Sequence, residues 1–252
     1  MPDSSFRFTS KRPLAKFQTT QENSMRPSFV RTRGLVVAAA FLLGIAPLAR
    51  AQSEADVLVG KAQETLQNFL RDPDMTWLQK NIGRAKAVLI TPEIVKAGFI
   101  IGGSGGRAVL VAHETGAAQW RGPAFYTLAT ASIGFQAGVQ ASENITLVMT
   151  DKGVNSLLAP SVKLGGDASI AAGPVGAGAQ SDVTTDFISF SRSKGVYGGL
   201  NLDGTVISVN NDWNKAYYGK DVLPPDIIVR GNVSNPGAKN LLSAVAAAGS
   251  GK

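Results

Sequence analysis

Ser104 sits in Gly102-Gly103-Ser104-Gly105-Gly106, which matches the G-x-S-x-G pattern of a serine nucleophile on a tight turn. Such a serine needs a base to take its proton and an acid to orient that base. The one histidine, His113, follows nine residues later with no acid between the two. The chain order serine, acid, histidine is therefore impossible, and a strand rather than a helix is expected after Ser104. The motif reads as a glycine-rich turn. The same stretch lacks the Lys-Ser/Thr of a phosphate-binding loop and the G-x-G-x-x-G spacing. The absence of cysteine excludes disulfides, thiolate metal sites and thiol nucleophiles. The carboxylates show no calcium-loop spacing. Asp182 and Asp186 form a spaced pair of the kind surface turns produce, and His113 reads as a surface or hydrogen-bonded strand residue. No catalytic residue, metal ligand or cofactor is indicated, and the chain reads as non-enzymatic.

The elements around these residues fall into a helical front and a β body, joined at Lys96–Arg107. Ser53, Glu54 and Asp56 start a helix. Leu58, Ala62, Leu66, Phe69 and Leu70 recur at helical spacing, opposite Lys61, Glu64, Asn68 and Arg71. Asp72-Pro73-Asp74 breaks that helix and opens a second over Met75–Ile82, which Gly83 ends. Ala85–Ile90 suits a buried strand, and Thr91-Pro92-Glu93 announces a short helix over Ile94–Ala97. Strands are expected at Arg107–His113, Gln119–Arg121, Pro123–Thr130, Ile133–Gln140 and Asn144–Thr150, with a turn at Glu114-Thr115-Gly116. A short helix over Val154–Leu158 stops at Pro160. Residues 162–180 are glycine-dotted and weakly patterned. Asp186–Ser191 alternates as a strand. Leu202-Asp203-Gly204 reads as a hairpin turn between Val196–Asn201 and Thr205–Asn210. Asn211 or Asp212 caps a helix through Tyr218 that Gly219 closes. Pro224-Pro225-Asp226 marks a turn before Ile227–Val229, and Ala238–Ala248 forms a last helix. The expected fold is α+β: a single domain, mainly an antiparallel glycine-rich sheet or partly closed barrel with several short flanking helices.

The formal charge of +7 suggests an anionic partner until the charges are located. Residues 1–51 hold eight Lys/Arg and two acids, leaving 17 basic and 16 acidic residues in the remainder. That removes the support for a nucleic-acid partner. The front itself has the three parts of a secretory signal peptide. Arg31-Thr32-Arg33 is the basic region, Leu35–Leu48 the uncharged apolar run, and Ala49-Arg50-Ala51 the cleavage site. The run is short for a membrane span, which needs roughly 20 residues. Met25 would begin a leader of ordinary length, so residues 1–24 read as a misplaced start. The expectation is an exported protein, periplasmic or secreted, with its domain over residues 52–252.

Six blocks, in order, carry a family resemblance. They are Lys86–Glu93, Gly98–Arg107, Gly122-Pro123-Ala124-Phe125, Ile133–Gly138, Ser189–Leu200 and Asn211–Gly219. Over roughly residues 53–230 the chain resembles the SYLF domain family, also called the actin-regulator domain. The resemblance implies binding rather than catalysis. Eukaryotic members bind phosphoinositide-containing membranes, some bind or bundle actin, and bacterial members are exported. Carried to this chain, it implies contact with an anionic phospholipid surface, or with an envelope protein if lipid activity is absent. The family's membrane contact involves an N-terminal amphipathic helix and basic residues. That maps onto the helix carrying Lys61 and Arg71, whose polar face also holds Glu64. Its apolar stripe equally suits packing on a sheet. The other cations singled out are Arg84, Lys86, Arg107, Arg192 and Lys194, since guanidinium groups suit phosphate. Three or four must converge, because each adds only about 1 kcal/mol near an anionic surface.

Overall fold

The computed structural model describes residues 54–98, 101–113, 119–133, 138–176, 185–193, 196–197 and 202–251. The expected leader, the expected turn at 114–116, Asp182 and Lys194 lie outside them. All belong to one compact unit. Helix α1 covers 54–71, and α2 is Thr76–Asn81, flanked by 3-10 turns at Pro73–Met75 and Ile82–Arg84. Four long strands follow: β1 Ala87–Gly98, β2 Ile101–His113, β3 Trp120–Ile133 and β4 Gly138–Val148. Then come α3 Asp151–Leu158, β5 Ser161–Lys163, β6 Ile170–Ala172, β7 Phe187–Ser193, β8 Val196–Tyr197 and β9 Val206–Val209. Helix α4 is Asn211–Tyr218, a π-helical turn spans Pro225–Val229, and α5 is Lys239–Gly249. The sheet runs β5-β9-β3-β2-β1-β4-β7-β6, with β8 hung on β7. It is antiparallel except for β6 against β7 and curls into an open half-barrel.

Both faces of the sheet are buried at its β1-start end, which is why Ala87–Ile90 is an unbroken apolar run. Val88 and Ile90 face Val109, Val111, Phe125, Ile145 and Leu147, and this face is covered by α1, α2 and α5. From α1, Ala55, Leu58, Ala62, Leu66 and Phe69 supply the stripe. That stripe is core: Leu66 and Phe69 are essentially solvent-free and each contributes about 2 kcal/mol by burial. Ala87 and Leu89 face the second core, closed by α3, β5, β9 and the π turn.

Several local expectations give way to tertiary structure. Ile94–Ala97 is not a helix but the second half of β1. The register of β1 shifts against both neighbours between Ile90 and Ile94. This bulge accommodates Pro92, which has no N–H to give a ladder. Beyond it, Ile94 and Val95 take the pleated conformation that β-branched residues favour. The glycine cluster is not a turn either; it lies inside β2, paired on both sides. Gly106 is required by close approach, since a Cβ there would lie 2.5 Å from the Glu93 carbonyl oxygen.

Of the expected strand Ile133–Gln140, residues 134–137 lie outside the described residues; Ile133 ends β3 and Gly138 begins β4. Among the described residues the Asp203-Gly204 turn joins no hairpin: β9 pairs with β3 and β5, β8 pairs with β7, and residues 198–201 of the expected first arm lie outside the description. The turn expected at Pro224-Pro225-Asp226 is the start of a π turn that runs through Val229. Gly83 lies within the second 3-10 turn, and α3 starts at Asp151, ahead of the expected Val154. The cap of α4 is Asn210, whose side chain accepts from Trp213 N–H, and Gly219 closes the helix at φ +70°.

Candidate functional interface

Past the bulge, the four central strands extend beyond the helices as an amphipathic tip. Register puts Val95 opposite Gly105 and Ala141, and Ala97 opposite Gly103 and Val139. Gly105 and Gly103 in turn face Ala129 and Ala131. All of these share the face that α1 covers nearer the strand starts. Here that face is bare: Val95 is 41% and Val139 74% exposed, and the alanines are exposed too. One residue along, the opposite face carries Lys96, Ser104, Thr130 and Gln140 in mutual register. Ser104 is thus a mid-strand residue on a polar face. His113 stands at the far end of the same strand, roughly 30 Å away at the strand rise.

Between the tip and α1 lies a groove of about 580 Å³, lined by Val57, Leu58, Lys61, Val95, Arg107 and Trp213 among others. Arg107 is held there in two ways. Its guanidinium lies 4.4 Å over the Trp213 ring and 3.7 Å from Glu54. A cation on an aromatic face is worth about 0.5–1 kcal/mol when exposed. Lys61 is exposed and also lines the next groove along α1, with Glu64, Glu143 and Arg192.

Arg192 is bound inward. It donates to Glu143 from Nε at 3.1 Å, approaches Asp72 at 3.7 Å and lies 5.6 Å over Phe69. Glu143 also accepts from the Thr65 hydroxyl, so the cluster ties α1 to β4 and β7. Replacing Arg192 with Ala is expected to cost about 1–2 kcal/mol, because it strands a half-buried carboxylate. In urea melts, the Glu143→Gln/Arg192→Ala pair should cost less than the sum of the single changes. Full additivity would show that the two side chains act independently.

Arg84 and Lys86 lie at the other end of β1. Arg84 donates to Asn81 Oδ1 at 2.9 Å, and Lys86 pairs with Asp151 at 2.9 Å. With Arg121 and His113 they line a cavity of about 420 Å³. Arg71 is exposed at the end of α1. The structure therefore brings Lys61 and Arg107 together at one groove and Arg84 and Lys86 at another cavity. Sequence reasoning did not single out Val57, Val95, Val139 or Arg121. The tip was legible as strict alternation in Val95-Lys96-Ala97, Gly103-Ser104-Gly105, Ala129-Thr130-Ala131 and Val139-Gln140-Ala141, but assigning 94–97 to a helix hid it.

Comparison with known proteins agrees with the resemblance that the sequence blocks carry. Residues 129–248, from within β3 through nearly all of α5, match the family model described as Ysc84, Las17-binding protein actin regulator. The chain is 27% identical over 194 residues to Protein YSC84 of Saccharomyces cerevisiae, covering 72% of this chain and 41% of that protein. It is 25% identical over 178 residues to SH3 domain-containing YSC84-like protein 1 of Homo sapiens, covering 67% and 52%. LAS seventeen-binding protein 3 of Saccharomyces cerevisiae is 29% identical over 162 residues, covering 62% and 35%. The chain thus spans about half the length, or less, of these relatives. With its half-barrel sheet and these matches, the chain is similar to the Ysc84/SYLF family, whose model covers just under half of it.

Proposed function

We propose that the protein is a non-enzymatic, peripheral binder of anionic phospholipid surfaces, and that it docks through the tip of its sheet. The observation that carries this reading is the two-sided tip. A bare face of Val95, Val139 and small residues is backed by a polar face and bordered by Lys61, Lys96 and Arg107. An uncovered apolar face of this kind marks an interaction surface. Inserted shallowly, it buries apolar area at the headgroup boundary while nearby cations meet phosphate. Arg192 serves by fixing α1 beneath the groove rather than by touching lipid. No helix among the described residues is long and apolar enough to cross a membrane, which leaves strand-based spanning unaddressed. Export rests on the sequence of residues 25–51 alone.

Vesicle co-sedimentation of residues 52–252 tests the reading. Binding is expected to be stronger to anionic than to neutral vesicles and to weaken between low and high salt. Absence of binding to any vesicle would leave the second reading, a protein-interaction module using the same bare face. The Las17-binding and actin-regulator description of the family favours that alternative.

A further inference from the structure

The bare face of the tip is wider than the four long strands. Val206 in β9 is exposed and stands opposite Ala129, so it shares that face. One row across five strands therefore reads Val206, Ala129, Gly105, Val95 and Ala141, with Lys163 of β5 bounding it. The next row outward reads Ala131, Gly103, Ala97 and Val139. β9 adds nothing to that second row, because it begins at Val206. Both rows lie among the described residues, and between the bounding strands every residue in them is valine, alanine or glycine. Three valines thus stand up from a floor of alanine and glycine.

The places of those valines make the patch complementary to itself. A two-fold axis running across the strands, between the two rows, lays each strand over the same strand of a second copy, in the opposite direction. The first row of one copy then meets the second row of the other. Val95 falls on Ala97, Val139 on Ala141, Ala129 on Ala131 and Gly105 on Gly103. Val206 falls beyond the start of the other copy's β9. Each valine is received by a small residue or an open place, as interdigitating sheet faces require. A two-fold axis along the strands fails, because α1 lies on this same face nearer the strand starts and both copies of it would fall in one layer. With the axis across the strands the two bodies point apart. Each tip then ends against the other copy's α1, where Val57 is exposed and lines the groove with Val95.

We infer that the bare face binds a second copy of this chain, forming an antiparallel tip-to-tip dimer. The contact is isologous, the same patch serving both partners. Five strands and two rows make a patch of about 24 Å by 14 Å. That is roughly 350 Å² from each copy, less than half the area that a stable interface takes from each partner. The dimer is therefore weak and reversible, and forms as concentration rises. The inference does not rest on the lipid reading: it states what covers the apolar face in water. A bilayer at the tip competes with the second copy for the same valines.

The test is sedimentation velocity of residues 52–252, which hold every described element, without lipid and at concentrations rising to about 1 mM. The parent is expected to shift from monomer toward dimer. Val95→Asp/Val139→Asp is expected to weaken that association about tenfold or more, with an unchanged melting temperature. Because the chain has no cysteine, single cysteines report the register. Val95→Cys mixed with a tagged Ala97→Cys is expected to give more mixed disulfide on oxidation than either variant gives by itself. A parent that stays monomeric at the highest concentration overturns the inference, and so does a dimer that the two aspartates leave intact. Equal yields of mixed and self-linked disulfide overturn it as well. A monomeric parent whose vesicle binding is lost with the same aspartates assigns the face to the bilayer alone, so the two readings fail separately.

Discussion

Changing Val95 and Val139 together to Asp is expected to lower partitioning onto anionic vesicles roughly a hundredfold. The two side chains face the same way on adjacent strands, Val95 opposite Ala141 and Val139 opposite Ala97. Both are exposed in water, so removing them costs the folded protein little. At a membrane they would give up about 1 kcal/mol each of apolar burial, and the new carboxylates would have to enter an anionic interface. A total near 2.7 kcal/mol is a hundredfold in affinity. Gln140→Asp is the control: it adds a like charge one residue from Val139 on the polar face, paired with Lys96. It should weaken binding severalfold at most. Equal losses for Val139→Asp and Gln140→Asp would mean that only charge matters, and would remove the insertion argument.

The second large effect concerns Asp186, which is nearly solvent-free at the junction of α3, β6 and β7. The Thr150 hydroxyl donates to its carboxylate at 2.6 Å. Ser169 donates from its N–H at 3.0 Å and its hydroxyl at 2.9 Å, and the Lys152 ammonium lies 3.3 Å away. The Thr150 bond foremost, with the Ser169 bonds and Lys152, holds the carboxyl well below the usual carboxylate range, although burial opposes this. A folded-state value below the unfolded one of about 3.9 stabilises the fold above that pH and is lost as pH falls further. Asp186→Asn should therefore cost about 3 kcal/mol at pH 7, the order expected for lost hydrogen bonds to a charged group. The gap to the parent should narrow at pH 3. Urea midpoints at both pH values check this, and an equal gap at each would show that the carboxylate charge contributes nothing.

Much of the local structure was legible in the sequence. Helix α1 followed from its stripe at Leu58, Ala62, Leu66 and Phe69, and α4 from its asparagine start and Gly219 stop, since periods and caps act within one or two turns of chain. The lack of cysteine and the single histidine narrowed the chemistry before any fold was known, and the six ordered blocks indicated the family. Long-range pairing decided the rest. Thr91-Pro92-Glu93 carries the same local signal whether it starts a helix or bulges a strand. Only the ladders to β2 and β4 on either side select the bulge, and that choice turns Val95 outward to make the tip. The glycines of β2 looked like a turn because glycine is permissive locally, whereas Gly106 is there to admit the Glu93 carbonyl of the neighbouring strand. Seven cations were visible in the sequence as a set. Folding sorted them, turning Arg192 inward to Glu143 and joining Arg84 and Lys86 to Arg121, because the convergence of side chains from distant segments depends on strand order and register, which no local pattern encodes.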